Sequence, residues 1–140
     1  MSRKILLGLA ILWASPWTLL GVAAGLAAIV SGGSGRRTGR VLEFHGGILQ
    51  RLLRHVPIAG GASAMTLGHC VIACTRADLA RSRQHELVHV AQYERWGPLF
   101  VPAYLAWSIW LWRRGYDPYL DNPFEVEAYD REPIRLPRNL

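Results

Sequence analysis

The sequence predicts an α+β fold: one apolar N-terminal membrane helix, then a small domain of short strands and helices. Three observations lead there. From Ile5 to Val30 no residue is charged, and Leu, Ala, Ile, Val, Trp and Gly dominate. Two runs rich in strand-forming residues, Val41–His45 and Ala64–Thr75, follow. Beyond them come segments of helical character around Gln84, Trp107 and Glu125.

The apolar run exceeds the ~20 residues needed to cross a bilayer. It follows Arg3 and Lys4 like a signal peptide, yet it is too long for a signal h-region and lacks a small-residue cleavage site, so a retained anchor is expected. Pro16 divides it into halves too short to span alone, which predicts a single kinked span. Ser31–Gly35 reads as a flexible linker. The expected organisation is an anchor at 1–30, a linker at 31–36 and a folded domain at 37–140. Arg36, Arg37 and Arg40 after the span outnumber Arg3 and Lys4 before it, which favours a cytoplasmic domain on a single-pass anchor.

Within the domain, Gly46-Gly47 ends the first strand, and Ile48–Val56 has helical spacing with Ile48, Leu49, Leu52 and Leu53 on one side. Pro57–Gly61 reads as a loop, and Ala64–Thr75 as one strand. Thr75 or Asp78 can cap the next helix, and Gly97 can stop it. Leu99–Trp112, apolar all round and closed by Arg113-Arg114, is too short to cross a membrane. It belongs either in the core or in a membrane interface, where Trp and Arg are favoured.

Composition narrows the partners. The formal net charge is +6, with 51% hydrophobic residues and a mean hydropathy of +0.12. The basic residues are scattered or flank apolar segments, which suits membrane lipids and argues against nucleic acid. Cys70 and Cys74, on one strand, would stand ~13 Å apart, too far for a disulfide, so free thiols in a reducing compartment are expected.

The chemistry is concentrated in His85-Glu86-Leu87-Val88-His89. Residues four apart share a helix face, so both imidazoles can reach one ion. With five histidines and ten acidic residues in 140, this pattern arises by chance in roughly one such sequence in a hundred. Catalytic zinc commonly takes three protein ligands and a water, which leaves one ligand to be found. The downstream carboxylates are Glu94, Asp117, Asp121, Glu125, Glu127, Asp130 and Glu132. Glu94, five residues past His89, rotates away from the metal face. Asn122 as N-cap and Pro123 at the first position put Glu125 and Glu127 on a short helix, and either can serve.

The motif His85-Glu86-x-x-His89 followed by Glu125-x-x-Ala128 resembles the gluzincin group of zinc metallopeptidases, in particular compact, membrane-associated members. The resemblance runs loosely from Ala64 to Asp130 and implies a zincin-like domain. It implies Zn²⁺ held by His85, His89 and Glu125, with Glu127 the alternative third ligand. It also departs from the group: an aspartate often follows the alanine as partner to a ligand histidine, and here Tyr129 stands there. The expected activity is hydrolysis of a peptide or protein substrate by a zinc-activated water, with Glu86 as general base. Tyr93, Tyr116, Tyr119, Tyr129 and His69 are candidate oxyanion donors. The upstream strand is a candidate edge for pairing an extended substrate. Two competing readings are a non-enzymatic membrane protein with a structural zinc closed by Cys70, Cys74 or Glu127, and a basic, Trp-rich membrane-binding module without metal.

Overall fold

A computed structural model describes residues 2–57 and 60–131; Glu132 and parts of the Pro57–Gly61 loop lie outside them. Helix α1 (Arg3–Val30) is followed by strands β1 (Ser34–Thr38) and β2 (Val41–His45) and the short helix α2 (Leu49–Arg54). Then come β3 (Ala64–Leu67), β4 (Cys70–Ala73), α3 (Arg76–Trp96), α4 (Phe100–Arg113) and α5 (Pro123–Asp130). The α+β class is as the sequence predicts.

The four strands form one sheet in the order β1-β2-β4-β3, with β2 parallel to β4 and the outer pairs antiparallel. Alternation along the strands sends their side chains to two faces. Val41, Val71 and Ala73 pack with Leu79 and Val90 of α3, while Phe44, Cys70 and Ile72 pack with Ala28 of α1 and Leu49 and Leu53 of α2. The sheet therefore lies between the motif helix and the N-terminal helix. Both cysteines are buried and free on the side away from α3.

Two expectations give way here. The stretch expected to be a linker becomes a tight turn and edge strand: Ser34 pairs with His45 and Thr38 with Val41. Gly35 carries no side chain because the Phe44 ring lies where its Cβ would be. The run Ala64–Thr75 is a hairpin rather than one strand. It folds back at Gly68-His69, where Gly68 takes φ +62°, the left-handed value that a two-residue hairpin loop requires.

Helix α1 is long and apolar enough to cross a membrane by length and composition. It runs unbroken through Pro16. Its buried residues are small: Ala14, Gly21, Gly25 and Ala28. A Cβ at Gly21 would stand 2.4 Å from Cys70 Cβ, and one at Gly25 would meet the Phe44 ring at 2.4 Å. Only glycine allows so close an approach of helix to sheet.

On the face of the sheet toward α3, Glu43 is buried under two arginines. Arg83 Nε donates to its Oε1 at 2.8 Å and Arg36 Nε to its Oε2 at 2.7 Å, which ties β1, β2 and α3 together.

Candidate metal centre

Helix α3 starts where Thr75 caps it, its Oγ1 accepting from Asp78 N at 3.1 Å, and it ends at Gly97 with φ +55°. Between those points no Gly or Pro interrupts the helix, so the i, i+4 geometry of His85 and His89 is kept. Helix α5 starts as its sequence demands: Asn122 Oδ1 accepts from Phe124 N at 3.1 Å and Pro123 takes the first position. Asn122 Nδ2 in turn donates to Tyr104 O and Ser108 Oγ of α4, so this cap also sets where α5 crosses α3.

That crossing brings His85, His89 and Glu125 together, all buried. His85 Nε2 lies 3.0 Å from Glu125 Oε2, His89 Nε2 lies 3.2 Å from His85 Nε2, and His89 Nε2 lies 3.4 Å from Glu125 Oε2. Three ligands at ~2.0–2.1 Å from a tetrahedral ion stand about 3.3–3.4 Å apart. The observed triangle is that size to within a few tenths of an ångström, so the donor set fits a small divalent cation such as zinc.

The hydrogen bonds around His89 agree. Its Nδ1 lies 2.8 Å from Gln92 Oε1. An amide oxygen only accepts, so Nδ1 carries a hydrogen and Nε2 faces the cluster, where it donates to Glu125 when protonated and can ligate a cation once that proton leaves. The amide cannot flip, because Gln92 Nε2 donates to Phe124 O at 3.0 Å and to Glu127 Oε2 at 2.8 Å. Glu127 is held in turn by Arg95 at 3.1 Å and Arg131 at 2.8 Å. Of the two glutamates left open by the sequence, Glu125 is in the cluster and Glu127 is turned to Gln92 and the arginines. Gln92 is thus the partner of His89, whereas Tyr129 lies against His85, whose Nδ1 meets no hydrogen-bond partner among the described residues.

Glu125 is anchored from a second side, with Tyr104 OH donating to its Oε1 at 2.8 Å. Burial pushes its carboxyl up, but the hydrogen bonds from His85, His89 and Tyr104 outweigh that and hold it down to about 2. Burial pulls His89 down, yet the Glu125 and Glu86 carboxylates prevail and raise it to about 9. The field that draws a proton to Nε2 also draws a cation there.

Glu86 is buried on the sheet side, and Thr66 Oγ1 of β3 donates to its Oε2 at 2.6 Å. Burial raises its pKa; His89, the Thr66 hydrogen bond and His85 oppose that only in part. A carboxylate raised in this way is suited to taking up a proton.

The remaining candidates separate by distance from the cluster. Tyr129 lays its ring on His85, 4.5 Å between centroids, and its hydroxyl lies 3.3 Å from Tyr119 OH. Tyr93 is buried and donates to Thr66 O at 3.2 Å. His69 sits at the hairpin turn, with Nε2 3.0 Å from Glu94 Oε1, which also takes an ion pair from Arg40. Tyr116 is exposed. Asp117 and Asp121 shape the loop before α5 through bonds to backbone N–H groups. Glu127 is engaged, and Cys70 and Cys74 are on the far face of the sheet. Among the described residues the cluster therefore has three protein ligands and no fourth. Thr66, Gln92 and Tyr104 were not singled out by the sequence reading. Of these, Gln92 carries a signal that the sequence holds, a polar residue three places past His89 on the same helix.

No family model, curated protein or solved structure matches this chain.

Proposed function

We propose that this protein is a membrane-associated zinc metallopeptidase of gluzincin type. The observation that carries the reading is the convergence of His85 Nε2, His89 Nε2 and Glu125 Oε2 on one point beside the buried Glu86. A set of three ligands, with no fourth protein ligand among the described residues, favours a catalytic over a structural ion. Bound there, zinc supplies Lewis acidity toward a carbonyl and toward water.

The protein's own groups do the rest. Thr66 fixes the Glu86 carboxylate, which takes a proton from the attacking water and returns it to the leaving amine. Gln92 fixes the His89 tautomer, and Tyr104 fixes Glu125. Strand β3 is an edge of the sheet and carries Thr66, so an extended peptide added to that edge would lie next to Glu86. Tyr129, whose ring lies on His85, and Tyr119, whose hydroxyl meets that of Tyr129, are the candidate oxyanion donors.

The test is Glu86→Gln. The variant should keep bound zinc and lose hydrolysis of a casein-derived peptide mixture by at least ~10³-fold, the scale of a lost general base together with its electrostatics. Retained hydrolysis in that variant defeats the mechanism.

A further inference from the structure

Helix α1 is joined to the domain along most of its length. Thr18 Oγ1 accepts from His69 N at 3.0 Å, Gly21 meets Cys70, Gly25 meets Phe44, and Ala28 is buried in the sheet core. Further back, Trp17 Nε1 donates to Pro98 O at 3.2 Å, and Trp13 lies where a Cβ on Gly97 would be. Only Arg3–Leu12 precedes these ties, ten residues that extend ~15 Å at 1.5 Å per residue. The hydrocarbon core is about 30 Å thick. A span along α1 would therefore carry the sheet, with Arg36 and Arg37 on its edge strand, into lipid.

The opposite side of α1 is exposed and apolar, with Leu12, Leu19, Leu20 and Leu26. Helix α4 repeats the arrangement. Inward, its Tyr104 holds Glu125 and its Ser108 donates to Pro118 O. Outward, it exposes Leu105, Trp107, Ile109, Trp110 and Trp112, with Arg114 over the Trp110 ring at 5.2 Å. The two helices share one cluster, in which Ala14 and Trp17 of α1 pack with Phe100 and Tyr104 of α4. Apolar bodies ending in tryptophan and arginine match the boundary between acyl chains and anionic headgroups.

We propose that α1 lies in the plane of the membrane rather than across it, and that the outer faces of α1 and α4 dock the domain on an anionic bilayer. The Trp107–Trp110 face accounts for the exposed aromatics of α4, and Arg113 and Arg114 for the preference in headgroup charge.

A Ser2→Cys/Thr38→Cys double variant of the full chain tests the in-plane arrangement without reference to hydrolysis. It is reconstituted into sealed vesicles of 70% phosphatidylcholine and 30% phosphatidylglycerol, labelled from outside with an impermeant maleimide, quenched and weighed intact. The native thiols are buried, so the parent chain should take no label. Chains carrying either two labels or none are expected, since both positions lie on one side. A single label on every chain means the helix crosses, and overturns the proposal.

The α4 face is read in the same vesicles with brominated acyl chains. Wild type should show quenching that Trp107→Phe/Trp110→Phe/Trp112→Phe loses at least by half, and that weakens when phosphatidylglycerol is replaced by phosphatidylcholine. Equal quenching in wild type and triple variant, or an α4 face shielded in a second copy of the chain, overturns the docking of α4. These readouts are independent of whether Glu86→Gln is inactive, so the peptidase reading and this one can fail separately.

Discussion

Gln92→Leu isolates the residue that links the ligand histidine to the rest of the fold. The side chain is fully buried and makes three hydrogen bonds, one to His89 Nδ1, one to Phe124 O and one to Glu127 Oε2. Leucine fills the space without replacing any of them. His89 then keeps no group to select its Nδ1–H tautomer, and loss of such a partner typically lowers metal affinity 10–100-fold, or about 1.4–2.7 kcal/mol. Stability falls as well. His89 Nδ1 is left buried without a partner at about 1–3 kcal/mol, whereas Phe124 O keeps the N–H four residues on in α5 and Glu127 retains Arg95 and Arg131, so both add little. A total of ~1–3 kcal/mol is expected. Zinc affinity by chelator competition and a thermal melt of the metal-depleted protein measure the two effects separately. A folded Gln92→Leu protein that binds zinc as tightly as wild type would refute the tautomer argument.

Two further outcomes follow from the charges. Because burial raises Glu86 and the base must be ionised, kcat/KM should fall on acidification through a pKa above the usual glutamate value of ~4.3. Thr66→Val removes a hydrogen bond that favours the carboxylate, so it should move this acid limb to higher pH; a limb that moves down contradicts the assignment. Glu43→Gln should destabilise the fold at pH 7 by about 2–4 kcal/mol, since it leaves Arg83 and Arg36 facing a neutral amide. Arg83 and Arg36 hold the folded pKa of Glu43 below its ordinary value, against burial, so its stabilisation is present above the ordinary glutamate pKa and is lost as pH falls through the folded one. Denaturant titrations of both proteins at pH 7 and pH 4 should therefore show the gap narrowing; a constant gap excludes the ion pairs as its source.

What the sequence made legible is what local chemistry dictates. Thr75, the uninterrupted run to Trp96 and Gly97 define α3, and Asn122-Pro123 defines the start of α5, because caps and breakers act within a few residues. The pairing of His85 and His89 follows from helix periodicity alone. Strand β1 escaped because Ser-Gly-Arg-Arg-Thr has weak strand propensity and is held by its partner β2. The hairpin at Gly68 was hidden by an apolar run that continues on both sides of the turn. The expected linker between anchor and domain was misplaced for a similar reason: the glycines of α1 read as apolar filler, and their fit against Cys70 and Phe44 is a tertiary fact. Choosing Glu125 over Glu127 needed the crossing of α3 and α5, which Tyr104 of a third helix sets by holding both Glu125 and the α5 cap Asn122.

The central claim is a metal held by His85, His89 and Glu125, and metal content measures it most directly. Purified wild type and the variants His85→Ala, Glu125→Ala and Glu127→Ala, analysed by inductively coupled plasma mass spectrometry, should give one zinc per chain in wild type and in Glu127→Ala. His85→Ala and Glu125→Ala should lose it. Wild type without stoichiometric metal after zinc loading, or loss in Glu127→Ala with retention in Glu125→Ala, would contradict the account.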